Sequence, residues 1–212
     1  MPVPSRVEVK YRVSIAGLPI GEGTDVFEHD GRSYTVVSES TTIGIAAIYQ
    51  FTLRREAKGN VTGDGLRALS FVEMRNGKFR RAVRFDWAAH EAQLMDGDNK
   101  QTVPLPPNTW DTASFPWNFA FARSQPKELH AYVTDGRRVT EYKYEILGRE
   151  KLDTPLGRIE TLHVRKIQEE GDQRSFEVWL AVDQHLLPAR VRATEKDGTA
   201  FDSTVESVKL GP

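Results

Sequence analysis

The sequence predicts a mainly β chain: a single large antiparallel meander rolled into a barrel, half-barrel or β-roll, with one or two short plugging helices. Three observations carry this expectation. Apolar and polar residues alternate with a period of two over long stretches, as half-buried strands do. Asp-Gly, Asn-Gly and Gly-Asp pairs recur between those stretches, as hairpin turns require. No long amphipathic helices alternate with the strands, which argues against an α/β sheet. The 212 residues are expected to form one domain over 1–212, and the Pro-rich segment 104–107, within 104–110, marks the boundary between two sheet halves.

The elements follow in order. Val7, Val9, Tyr11, Val13 and Ile15 alternate with Arg6, Glu8, Lys10, Arg12 and Ser14, a strand that stops at Gly17-Leu18-Pro19. Residues 20–28 carry Gly21 and Gly23, which suggests a bend or the close approach of another backbone. His29-Asp30-Gly31 is a turn, and 33–42 is the return strand. The same device separates 69–75 from 78–87 (Asn76-Gly77) and 129–133 from 139–147 (Asp135-Gly136). It recurs between 159–167 and 174–182 (Gly171-Asp172), and between 189–194 and 201–208 (Asp197-Gly198), while Asp96-Gly97 ends a strand at 91–95. About a dozen strands result, and a sheet that long must curl, split or close to manage its edges.

Two segments break the period. Ile43-Gly44-Ile45-Ala46-Ala47-Ile48-Tyr49 is small and apolar and reads as a short helical turn. TWDTASFPWNFAFARSQ, 109–125, is the densest aromatic stretch. Asp111 is a plausible N-cap, with Trp110 and Phe115 as a hydrophobic staple around it. Pro116 is awkward inside a helix, so Ser114 capping a helix that begins near Pro116 is the alternative. Either way, two to three helical turns within 111–122 cannot stand alone in water and must pack on the β core.

Composition excludes several functions. The charge is balanced, 29 basic against 30 acidic side chains for a net of −1, which argues against a general electrostatic grip on nucleic acid. There is no Cys, hence no disulfide, thiol catalysis or thiolate metal site. No window has the length to span a bilayer as a helix; the longest uncharged run, Ser40–Leu53, is broken by Thr, Ser and Gln. No nucleotide-binding loop, nucleophile elbow or metal-ligand spacing occurs, so no cofactor and no metal are expected. The five His are scattered, and Asp183-Gln184-His185 reads as a polar turn. Asp86, between Phe85 and Trp87, and Asp111, beside Trp110, are the acids most embedded in aromatic sequence. A hydrolase would use one of them with a raised pKa; as structural residues they are a strand-face residue and a helix cap.

Several segments taken together resemble the bacterial exported family known as domain of unknown function 3108. They are Gly17-Leu18-Pro19-Ile20-Gly21-Glu22, Trp110-Asp111-Thr112-Ala113-Ser114, the run from Glu150 through Thr154-Pro155-Leu156-Gly157 to Thr161, and Val178-Trp179-Leu180-Ala181 leading into Leu187-Pro188-Ala189. The resemblance spans nearly the whole chain. It implies export to the periplasm with a signal peptide removed, no established activity and no catalytic residue to carry over; the family's mid-chain aspartate corresponds to Asp111. The segments are also legible physically: Pro155 and Gly157 shape a turn, Trp179 sits in a strand, and Pro188 fits a strand start.

The expected function is a non-enzymatic periplasmic protein that binds or carries a hydrophobic ligand such as a lipid or acyl chain. Trp110, Phe115, Trp117, Phe119 and Phe121, with Ile45, Ile48 and Tyr49, would close the mouth of the roll or line its wall. The alternatives are an envelope glycan binder or scaffold, with Trp110 and Trp117 exposed as a stacking platform, and a hydrolase built on Asp86 or Asp111.

Overall fold

The computed structural model describes residues 3–122 and 127–211. The strands run β1 Arg6–Ile15, β2 Leu18–His29, β3 Ser33–Thr42, β4 Thr52–Thr62, β5 Gly65–Arg75, β6 Lys78–Asp86, β7 Glu91–Asp96 and β8 Asn99–Pro104. After β9 Thr109–Asp111 and the single-turn helix α1 Phe115–Asn118 come β10 Glu128–Thr134, β11 Val139–Thr154 and β12 Gly157–Lys166. The last three are β13 Ser175–Ala181, β14 Leu187–Thr194 and β15 Ala200–Leu210. A 3-10 turn, Gly44–Tyr49, joins β3 to β4.

All these strands belong to one sheet, ordered β8-β7-β6-β5-β4-β3-β2-β1-β15-β14-β13-β12-β11-β10-β9. The ladder is not closed. Its two edges, β8 and β9, are consecutive in the chain, so the Pro-rich link 105–108 carries the backbone from one edge to the other. Of the three forms the sequence allowed, this is a roll. Neighbours are antiparallel except β9, which runs parallel to β10.

Tight turns hold the meander. Asn76-Gly77 adopts φ of 51° and 72°, the doubly left-handed geometry whose twist matches that of the strands it joins. At the β2–β3 turn, Asp30 Oδ1 accepts the N–H groups of Arg32 and Ser33 at 2.8 and 2.7 Å, which lowers its carboxyl to about 2.

Side chains facing one another across strands form rows on the inner face. One row is apolar: Val7, Phe27, Val36, Ala57, Phe71, Val83 and Leu94 are successive partners across seven strands, and all are buried. Two residues along lies a polar row: Asp25, Ser38, Arg55, Glu73, Arg81 and Asp96, again directly opposite one another. Its charges alternate as cross-strand pairing favours. Arg55 Nε donates to Glu73 Oε2 at 3.0 Å, and Arg81 Nε donates to Asp96 Oδ1 at 3.3 Å. Arg81 also reaches across the open seam to Asp135 at 2.6 Å, while Gln101 on edge strand β8 donates to the Arg137 carbonyl at 2.8 Å. Side chains therefore bridge the gap that the backbone ladder leaves.

Three strands escaped the sequence reading. The inward positions of β4, Leu53, Arg55, Ala57 and Gly59, are interrupted by a charge and a glycine; β8 is an exposed edge; β9 is three residues long. β11 runs past Leu147 to Thr154 because the ladder with β12 resumes after an irregularity at 146–148. The helix expected over two to three turns is one turn. After Asn118 the backbone tightens into three-residue bonds, Ala120 N to Trp117 O and Phe121 N to Asn118 O, as a chain does when its helix ends. Residues 123–125 of the aromatic stretch lie outside the described residues.

Candidate functional site

The plug is built from Asp111 outward. Asp111 Oδ1 accepts N–H from Ala113 and Ser114 at 2.8 Å each, and Ser114 Oγ donates to Oδ2 at 2.6 Å. These bonds hold the turn 112–114 that delivers α1. Asp111 is thus the anchor of the turn, whereas the residue at the helix N-cap is Ser114, with Pro116 in the first turn where no N–H is needed. Burial raises the Asp111 carboxyl above its ordinary value, against those three bonds. Burial and the neighbouring Asp111 charge also push the Tyr34 phenol up.

From α1 the aromatic side chains diverge. Trp117, fully buried, stacks on Phe27 with ring centres 5.0 Å apart. Phe121 lies 5.2 Å from Phe27 and edge-on to His29 at 5.1 Å. These belong to the cluster that covers β1–β7 and continues to Leu152, Trp179, Ala181, Leu187, Ala189 and Val205. Phe115 and Phe119 enter a second cluster with Trp110, Ala131, Tyr144, Val164, Val178 and Leu180. The Trp110 and Phe115 rings are 5.9 Å apart. The plug is the wedge between the two halves of the roll.

It is also hydrogen-bonded into the sheet. Beyond β4, the start of β5 has no strand beside it until Ser70 meets β6. There Asn118 Oδ1 accepts the Leu66 N–H, and Trp110 Nε1 donates to the Leu66 carbonyl, both at 2.8 Å. Two side chains thus take the place of a missing strand. Gly65 makes this possible: its φ is +127°, and a Cβ there would sit 2.4 Å from Asn118 Oδ1.

The interior of the roll is therefore filled by the protein's own side chains. Trp110 and Trp117 are 6% and 0% exposed, so the stacking platform expected of a glycan binder does not exist at these residues. A shallow cleft opens beside Trp110, lined by Trp87, His90 and Leu105 among others. The segment 43–49 does not join the wall. No residue of its 3-10 turn is buried, and Ile45, Ile48 and Tyr49 are 96%, 79% and 79% exposed. Leu18, in the strand that meets this turn through the Ile43 N–H to Ile20 O bond of 2.9 Å, is 70% exposed. Four large apolar side chains thus stand in solvent at one end of the roll.

Asp86 is exposed, and its Oδ1 accepts the N–H groups of Ala88 and Ala89, the work of a turn. Asp111 is enclosed with its bonds satisfied. No group of three or more His, Asp or Glu among the described residues is arranged to hold a metal ion.

The polar surroundings of Trp179, on the face of β12–β14 opposite Val178, were not visible in the sequence. Trp179 is sandwiched between His163, stacked at 4.3 Å, and the Arg190 guanidinium at 4.8 Å. Its indole donates to Glu150. His163 Nε2 meets Glu177 at 2.8 Å, and both Arg190 and Arg192 bond Asp202. Every polar group here already has a partner in the cluster. Pro188 pairs beside the bulge at 179–180, and its carbonyl accepts the Tyr11 hydroxyl at 3.1 Å. Pro155 lies in the β11–β12 turn, closed by a 2.8 Å bond from Thr154 Oγ1 to the Gly157 carbonyl.

Fold and site define an open β-roll with a filled interior and an apolar end. The sequence matches the model of a family described as "Protein of unknown function (DUF3108)" over residues 10–205, and the chain belongs to that family. No curated protein matches it. Among solved structures, it is similar to a beta-barrel-like protein of domain of unknown function DUF1849 from Brucella abortus, at 9% identity and a TM-score of 0.60, covering 100% of this chain and 99% of that one. A protein provisionally described as a lipoprotein from Parabacteroides distasonis aligns over 99% and 97% of the two chains at 11% identity and a TM-score of 0.42. The Brucella likeness shows a shared fold. No helix among the described residues is long and apolar enough to cross a membrane.

Proposed function

We propose that the protein is a non-enzymatic component of the bacterial envelope, resident in the periplasm, that binds hydrophobic material such as lipid with the outside of its roll. One observation carries this reading: the distribution of large apolar side chains. The aromatic residues that would line a ligand cavity are spent on the core, whereas Leu18, Ile45, Ile48 and Tyr49 are left together in water at one end. Exposed apolar groups gathered in one place are a mark of interaction surfaces. A carrier that stores its ligand inside would need the space that Trp117, Phe115 and Phe119 occupy.

The test is site-specific photo-crosslinking in the native envelope. A photoreactive residue at Ile48 is expected to give adducts that one at Lys151, exposed in β11, does not. A lipid found by native mass spectrometry in stoichiometric amount, and retained after Ile45 and Ile48 are both changed to Ser, would place binding inside the roll and overturn the proposal.

A further inference from the structure

We infer that the apolar end of the roll docks on the surface of an anionic phospholipid bilayer, with Ile45, Ile48 and Tyr49 entering the headgroup layer. This rests on the reading that this end is the working surface, and it names the partner. Three loops converge there. Residues 14–20 carry Leu18 and no charge, and 40–53 carry the 3-10 turn and no charge. The third, Met74–Arg80, is tied to the second: Asn76 and Thr52 exchange two bonds of 2.8 Å, and the Arg75 guanidinium lies 5.7 Å from the Phe51 ring. This hairpin carries Arg75, Lys78 and Arg80, no acid, and Phe79, itself 49% exposed.

The charge pattern selects the partner. Apolar groups at the tip flanked by cations, with no carboxylate in any of the three loops, complement a surface that is apolar beneath and anionic on top. The acids nearest along the strands are Glu22, Glu39 and Glu73, set back in β2, β3 and β5. Glu39 is paired with Arg54, and Glu73 with Arg55 and Arg75. Arg80 of the hairpin pairs with Asp96, so Lys78 is the hairpin cation with no ion pair among the described residues. The geometry suits insertion too. The turn is held by its own backbone bond, Gln50 N to Ala47 O at 2.9 Å, and by the ladder on both sides, so the backbone that presents Ile45, Ile48 and Tyr49 is formed before binding. Tyr49 adds an aromatic ring with a polar edge, the side-chain type that settles at bilayer interfaces.

The experiment is co-sedimentation of the full chain with vesicles of phosphatidylcholine alone or mixed with phosphatidylglycerol. The mixed vesicles are expected to bind the protein, and the neutral ones much less. Ile45→Ser/Ile48→Ser should lower partitioning by on the order of tenfold or more. Arg75→Gln/Lys78→Gln should weaken it and flatten its dependence on salt. All four positions are at least partly in solvent, and a thermal melt matching that of the parent confirms that each variant folds. Equal sedimentation with both vesicle types, or no loss in the Ile45→Ser/Ile48→Ser variant, overturns the inference. If vesicles fail but a crosslinker at Ile48 captures a protein in the envelope, the bilayer is the wrong partner while the end of the roll keeps its binding role. If neither is captured, both readings fall.

Discussion

The two halves of the roll solve the same burial problem differently. Over β1–β8, one face does the burying, with an apolar row and a charged row side by side on the inside. Over β10–β15, both faces carry ordered clusters: Tyr144, Val164, Val178 and Leu180 on one, and Trp179 between His163 and Arg190 on the other. The difference shows what the plug is for. Trp117 joins the cluster that spans β1–β7 and reaches on to Leu187, Ala189 and Val205, whereas Phe115 and Phe119 join the one over β9–β13. Residues 115–119 thus weld two cores across a ladder that joins the halves only through β1 and β15.

The sharpest way to break this comparison is to remove the weld on one side at a time. Trp117→Ala and Phe115→Ala should each cost about 3–5 kcal/mol, the range for deleting a fully buried aromatic. If the plug makes the halves one cooperative unit, circular dichroism and tryptophan fluorescence will report a single coincident transition in both variants. A second transition in Phe115→Ala alone would show that the β10–β15 half melts separately.

Next in size is the charged row, which exists only in the first half. Arg55→Met leaves Glu73, 1% exposed, with only the more distant Arg75 at 3.5 Å. Breaking one partner of a buried pair costs about 3 kcal/mol. Arg158→Met, which removes the exposed partner of Asp153 in the second half, should cost less than about 1 kcal/mol. Urea melts of the two variants make the contrast, and equal losses would deny the row a structural role.

Asn118 comes third. Replacing it with Ala strands the buried Leu66 N–H, at a cost of about 1–3 kcal/mol. Hydrogen exchange should speed up at Leu66 and leave β12–β13 amides unchanged. Protection at Leu66 that survives the substitution would mean that the side chain is not standing in for a strand.

How much of this was legible depended on range. The alternation from Val7 to Ile15 and the Asn76-Gly77 and Asp135-Gly136 turns are local signals, and they marked their strands. The close approach suggested by Gly21 is real: a Cβ there would lie 2.7 Å from the Thr41 carbonyl oxygen. β4 was missed because Arg55 faces inward, and its reason, Glu73, lies on another strand. Asn118 looked like any polar residue in an aromatic run, since its partner is 52 positions away. Alternation placed Trp179 in a strand, but period two does not say which face will be covered, and the His163 and Arg190 that cover it depend on register across a bulge. The exposure of Ile45, Ile48 and Tyr49 was illegible for a related reason: an apolar run looks the same buried or bare.

The last effect is visible only as a pH dependence, and it tests whether the polar row is tuned by the core beside it. Burial raises the Asp25 carboxyl from 3.8 to about 6, with Ser38, Arg55 and the Trp117 indole pulling it back down. An acid with a raised folded-state pKa binds its proton more tightly in the fold than in the unfolded chain. Its contribution to stability is therefore present below 3.8 and is lost as pH rises to about 6. Asp25→Asn removes this proton and leaves the other carboxylates in place, Asp111 included. The stability of the variant minus that of the parent should then climb across that window, with a slope no steeper than about 1.4 kcal/mol per pH unit, and level off above it. Repeating the pair in a Trp117→Phe background, which keeps the packing but deletes the indole donor, should move the window upward, because one of the bonds that lowers the Asp25 pKa is gone. Parallel stability curves for parent and Asp25→Asn would mean that the row is solvated enough to titrate normally, and that the first half buries only its apolar row.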